Sequence, residues 1–207
     1  MQGCFKCQQN KVQHQQRAGE LYPLEILKRP WQEISIDMIG PLPSSNRMDA
    51  ILVIVDQFTK MIRLKAMTMN ISSEGIAKIY RNEIWKLHGV PRMILSDRGP
   101  QFMLKFMEEF TKVLGTKRKL STAYHLQTDG QTERINQEIG TFLQHYVNYQ
   151  QDNWTDWLAT AEFSYNDKKH MATGKTPFEL NFERHPWKGD LIVQTGISRV
   201  EEFMKHL

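Results

Sequence analysis

The sequence predicts an α/β protein with a mixed five-stranded sheet flanked by helices. Three observations lead there. Residues 31–40, "WQEISIDMIG", alternate apolar and polar side chains. Residues 50–55, "AILVIV", are continuously apolar and largely β-branched. Beyond residue 72, helical patterns with apolar residues at three- and four-residue spacing are interleaved with short apolar runs. That order gives strands on a shared sheet with helices on its faces.

In the first segment Ile34, Ile36 and Met38 fall on one side and Ser35 and Asp37 on the other, the period of a half-buried strand. "PLPSSNRMD" is a turn, rich in proline and polar residues. "AILVIVDQ" is a central strand buried on both faces, and "TKMIRLKAM" alternates again, so the first three strands form an antiparallel meander. "SSEGIAKIYRNEIWKLHGV" is a helix with Ile76, Ile79, Tyr80, Ile84 and Leu87 on its apolar face. Ser72 or Ser73 caps its start, and Gly89 and Pro91 end it. "RMILS" is the fourth strand, packing beside the first. "QFMLKFMEEFTKVLG" is a helix with Phe102, Phe106, Phe110 and Val113 on one face, ended by Gly115. "TKRKLST" reads as a short basic strand, "YHLQTDGQ" as a loop, and "TERINQEIGTFLQHYVNYQ" as a long helix. Further helices run from Trp154 to Tyr165 and from about Thr176. There is no internal repeat.

The chain has 207 residues, 40% hydrophobic and 24% charged, the composition of a globular protein with one sizeable domain. No run of 18 apolar residues is present, so no membrane span and no membrane partner are predicted. The net charge of +4 is compatible with a polyanionic partner without demanding one. The two cysteines, Cys4 and Cys7, are spaced C-x-x-C, which suits half of a zinc site. Zinc takes four ligands in a structural site, and only His14 is near enough in sequence to add a third.

Three carboxylates carry the chemical reading. Asp37 lies mid-strand, where aspartate is disfavoured. Asp97 follows the fourth strand. Glu133 lies in the first turn of the long helix, about 160–200° from Ile135 and so off that helix's apolar stripe of Ile135, Ile139, Phe142 and Tyr146. Carboxylates converging from two adjacent strands and a helix suit a pair of hard divalent cations for phosphoryl transfer. Each has a plainer alternative. Asp97 can cap the next helix, Glu133 can answer the helix dipole, and Asp37 can be an edge-strand acid. Asp56 also ends a strand and reads as a turn residue.

Thirty-five residues, 98 to 132, separate Asp97 from Glu133. With "SIDMIGPLP", "ILVIVDQFTKMIRL", "HGVPRMILSDRGPQF", "AYHLQTDGQTERINQEI" and "WTDWLATAEFSYNDKKHMATGKTPFEL", the chain resembles the integrase of gypsy-type LTR retrotransposons from about Cys4 to Pro186. The resemblance implies a D,D-35-E catalytic core with an RNase H-like fold, in which Asp37, Asp97 and Glu133 are the catalytic, metal-binding triad. Asp37 would bridge two Mg²⁺ or Mn²⁺ ions, with Asp97 on one and Glu133 on the other. It implies processing of the element's DNA 3′ ends and their transfer into target DNA, RNA as a further nucleic-acid partner, a homo-oligomer and a nuclear location. It makes residues 1–29 the remnant of an N-terminal zinc-binding module and linker, 30–186 the core, and 187–207 the start of a following region. Cys4 and Cys7 then match the cysteine half of a His-His-Cys-Cys module, which would hold Zn²⁺ only with the histidine half supplied. Two residues depart from the family pattern: Leu126 stands where proline is usual, and Glu183 where glycine is usual.

Around this triad, Lys117, Arg118 and Lys119 are candidate phosphate contacts or a solvated strand end. Gln131 and Gln137 are candidate contacts to DNA or a polar helix face. His125 fits the loop before the long helix. Trp154, Trp157, Phe163 and Tyr165 read as core or a subunit interface, and Lys168, Lys169 and His170 form a second basic cluster of unassigned use. A plain ribonuclease H, which normally has four carboxylates, and a non-catalytic nucleic-acid-binding or interaction protein derived from such an element are the other readings.

Overall fold

The computed structural model describes residues 29–96, 100–114, 123–125 and 130–187. Its sheet has five strands in the order β3-β2-β1-β4-β5. β1 (Glu33–Ile39) pairs antiparallel with β2 (Ala50–Asp56), and β2 with β3 (Ile62–Met67). On its other side β1 pairs parallel with β4 (Met93–Leu95), and β4 with β5 (Ala123–His125). Every residue of β2 is buried, because the strand is interior and covered on both faces. The "TKRKLST" segment expected to form a strand lies outside the described residues, and β5 includes Tyr124 and His125, expected in the loop. The three residues of β4 offer a ladder only three residues long, which Ala123–His125 fills in parallel register.

One sheet face is closed by α1 (Ser73–Tyr80) and α3 (Pro100–Val113). Tyr80, Phe106 and Phe110 pack there against Ile34, Ile36, Leu52 and Ile54, and Tyr80 meets both phenylalanine rings edge-on. Ser72 caps α1 by accepting a hydrogen bond from the Gly75 N–H. The helix does not run on uniformly as expected. It passes through a π-helical turn (Arg81–Trp85) into the short α2 (Lys86–His88). The wider turn rotates the following residues, so Leu87, expected on the apolar face, is 58% exposed. His88 turns inward instead and stacks on Trp31, with ring centroids 4.2 Å apart. The other face is closed by α4 (Gly130–Tyr146) and α5 (Trp154–Asp167). Ile135, Ile139, Leu143, Trp154, Leu158 and Tyr165 cover Ile51, Val53, Val55, Ile62 and Leu64 there. Trp154 and Tyr165 are core, as read; Trp157 is half-buried and Phe163 is exposed.

α6 (Pro177–Phe182) opens with a capping box between Thr176 and Glu179. It ends at Glu183, whose φ of 57° and ψ of 17° are left-handed. Glycine is the usual residue in that conformation because it has no Cβ to clash, so the departure at Glu183 falls where a side chain is strained. None of the described helices is long and apolar enough to cross a membrane.

Two outcomes follow. Glu183→Gly raises stability to urea by about 0.5–1 kcal/mol, by relieving that backbone; an unchanged or lower midpoint contradicts the strain. Burial, and next the nearby Arg63, push His88 down to about 4. The folded state therefore resists a proton that the unfolded chain takes up below about 6.5. Stability is complete above pH 6.5, falls between pH 6.5 and 4, and levels off below that. His88→Gln flattens that part of the pH–stability curve.

Candidate active site

The polar face of β1 meets the N-terminal half of α4. The Ser35 and Thr132 hydroxyls lie 3.1 Å apart, and both residues are buried. Two residues along the strand and four along the helix, Asn136 Nδ2 donates to Asp37 Oδ2 at 2.6 Å. The strand's two-residue and the helix's four-residue repeat advance by similar lengths, so the two contacts form one seam. Gln57, just past β2, donates to Ser35 Oγ at 3.0 Å and ties the β2–β3 turn to the same seam. Asp37 Oδ1 accepts from the Met38 N–H at 2.7 Å.

Glu133 is exposed in the first turn of α4, three residues before Asn136 and so on the neighbouring stripe of the helix. Gln137 is exposed next to it. Asp97 lies outside the described residues. In sequence it follows Leu95 by two residues, as Asp37 follows Ser35, and Ser35 and Leu95 are partners in the parallel β1–β4 ladder. Cys4, Cys7, Lys117, Arg118, Lys119 and Leu126 also lie outside the described residues, as do the side chains of His125 and Gln131. Among the described residues no three His, Cys, Asp or Glu side chains gather as a metal cluster.

The seam suits a hard cation. Asp37 is only half-buried and each carboxylate oxygen accepts one hydrogen bond from the described residues, against about four acceptor positions on the group. Asn136 Oδ1, on the amide that holds Asp37, is buried without a partner among the described residues. Oxygen donors of this kind are what Mg²⁺ and Mn²⁺ prefer. Asn136 was missed in the sequence. The available signal was a polar residue at the border of the α4 apolar stripe, one turn after Glu133.

Asp56 is the contrasting carboxylate. It is fully buried and accepts from the N–H groups of Trp31, Phe58 and Thr59 and from the Thr59 hydroxyl. These bonds close the β2–β3 turn and anchor the chain entering β1, so its reading as a turn residue fits.

Residues 28–126 match the integrase core domain family. The chain belongs to the integrase core family. The Tf2-3 and Tf2-4 transposon polyproteins of Schizosaccharomyces pombe are 34% identical to it over 202 residues, which is 98% of this chain and 15% of each polyprotein. The chain thus spans under a sixth of these relatives, and it resembles the integrases of gypsy-type elements, as expected. Among solved structures, the HTLV-2 integrase catalytic core in complex with magnesium (trimeric form) aligns with a TM-score of 0.54 at 20% identity, covering 74% of this chain and 97% of that one. The simian T-cell lymphotropic virus intasome in complex with the PP2A regulatory subunit B56 gamma aligns with a TM-score of 0.58 at 19% identity, covering 94% and 68%. These likenesses establish the RNase H-like fold of the integrase core.

The two aspartates should separate on mutation. Asp56→Ala leaves several buried donors unpaired and lowers stability by on the order of 3 kcal/mol in urea. Asp37→Asn keeps an acceptor for its neighbours and costs less than about 1 kcal/mol. Equal losses would overturn the distinction.

Proposed function

We propose that this integrase core cuts and joins DNA strands, using Asp37, Asp97 and Glu133 as its catalytic carboxylates. The observation that carries the reading is the Asn136–Asp37 contact, which docks the Glu133-bearing turn of α4 against the strand that bears Asp37. Family membership and the 35-residue interval between Asp97 and Glu133 support it. Two reactions are expected. In the first, water attacks a phosphorus of the element's DNA and the bond to the 3′ oxygen breaks, leaving a 3′-hydroxyl. In the second, that hydroxyl oxygen attacks a phosphorus of the target strand and a target 3′ oxygen departs.

A pair of Mg²⁺ or Mn²⁺ ions held by the three carboxylates would supply Lewis-acid stabilisation of the charge that develops on the phosphoryl oxygens. The chain's own residues set the stage for it. Asn136 fixes the rotamer of Asp37. Ser35, Thr132 and Gln57 hold the helix at one height on the strand. Glu133 remains exposed, where a polynucleotide can reach it. On this reading the protein works as a homo-oligomer on the element's ends and target DNA, in the nucleus.

The test is disintegration of a branched DNA substrate with Mn²⁺ by the whole chain, alongside Mn²⁺ binding followed by calorimetry. Asp37→Asn and Glu133→Gln abolish strand joining while still melting cooperatively within a few degrees of wild type. Asn136→Ala weakens metal binding about 10- to 100-fold, as loss of a residue that orients a ligand does. Joining that survives Asp37→Asn sinks the assignment, and a wild-type chain that binds DNA but neither metal nor branched substrate favours the non-catalytic reading.

A further inference from the structure

The second basic cluster lies on the loop between α5 and α6. Its shape comes from its own backbone: the His170 N–H donates to Lys175 O at 2.9 Å, and the N–H groups of Thr173 and Gly174 donate to His170 O. The closed turn carries Lys168, Lys169 and Lys175, all exposed. A fourth cation, Lys60, comes from the β2–β3 turn. Asn166, two residues before Lys168, is bonded to both the N–H and the carbonyl of Ile62, two residues after Lys60, so the start of the loop is set beside the β2–β3 turn. The carboxylate of Glu138 pairs with Lys168.

The cluster connects to the candidate active site through a run of hydrogen bonds. Lys60 Nζ donates to Gln57 Oε1 at 3.4 Å, Gln57 Nε2 donates to Ser35 Oγ, and Ser35 meets Thr132 at the start of α4. Lys60 is therefore tied to the end of α4 that carries Glu133, and Lys168 pairs with Glu138 further along the same helix. Their chemistry is also selective. Lysine presents a point charge suited to phosphate, whereas bases are read mainly by arginine, asparagine or glutamine forks.

We propose that Lys60, Lys168, Lys169 and Lys175 form a binding surface for the phosphate backbone of duplex DNA, taken without regard to sequence and without need of a DNA end, beside the reaction centre. The occupant is target DNA, and the inference rests on the polynucleotide-joining reading given above. Each lysine that neutralises a phosphate releases condensed counterions, so the surface should show itself in the salt dependence of binding.

The test is fluorescence anisotropy of the whole chain on a closed DNA minicircle of arbitrary sequence, in EDTA across a salt series. Lys169 and Lys175 make no side-chain bond among the described residues, so the Lys169→Gln/Lys175→Gln double variant should fold normally, which its melting curve checks. It should weaken binding on the order of tenfold at 0.1 M salt and reduce the slope of log K against log salt by about 1.8. The Lys→Arg pair should bind like wild type, and so should Lys78→Gln/Lys112→Gln on the opposite face. An unchanged slope, a loss confined to open-ended DNA, or a wild type that does not bind the minicircle each overturns the proposal. Because binding is read without metal, a failure of the carboxylate assignment leaves this result standing, and the reverse holds as well.

Discussion

The arrangement of the molecule depends on how α4 settles on the polar face of β1. Around it, the sheet face is apolar, lined by Ile51, Val53 and Val55 of β2 and by Ile62 and Leu64 of β3. Ser35 and Asp37 interrupt that surface. Burying them against another apolar helix face would leave their oxygens without donors, at a cost of roughly 1–3 kcal/mol each. Thr132 and Asn136 remove the problem at one rotation and one height of the helix. A shift of one residue along α4 would turn Glu133 and Gln137 toward the strand in place of Thr132 and Asn136. The polar seam thus fixes the register that the apolar stripe alone leaves loose, and the same register brings Glu133 to the surface beside it.

The other end of that sheet face is fixed from the edge strand. Ile62 and Leu64 turn their N–H groups outward from β3, where no sixth strand is present among the described residues. α5 covers them. Asn166 both accepts from the Ile62 N–H and donates to the Ile62 carbonyl, as a neighbouring strand would. Glu162 accepts from the Leu64 N–H while holding Arg63. An open edge invites pairing with another chain, and side-chain caps of this kind prevent it. Because Asn166 is the penultimate residue of α5, this clamp also determines where the lysine-bearing loop leaves the helix.

Much of this was legible in the residues. The two-residue alternation of β1 named both faces correctly, with Ile34 and Ile36 in one core and Ser35 and Asp37 against α4. The all-apolar run of β2 gave its central place. Two features were not legible, each for a physical reason. No local propensity announces the π-turn at Arg81–Trp85, so Leu87 was assigned to the wrong face. The role of Asn136 depends on a partner 99 residues away. A helical projection gives the angle of a residue but not what stands opposite it. The resemblance to known integrases marked Glu133, and left unmarked the amide that seats its helix.

Asp56 and Asp37 show why a carboxylate on a strand is not informative by itself. Both belong to strands of the same antiparallel pair, Asp37 within β1 and Asp56 at the end of β2. Asp56 is saturated by donors from within three residues and from Trp31, and is fully buried. Its charge is consumed by the fold, and a cation would have to compete with four donors in a site closed to solvent. Asp37 has one donor from its own backbone and one from a helix that arrives from elsewhere, and it stays half-open. Local donors make a carboxylate a piece of architecture. A single distant donor that orients it while leaving lone pairs unused prepares it for a ligand. On that criterion Asp37 keeps acceptor positions open to a ligand while Asp56 is fully committed to the fold.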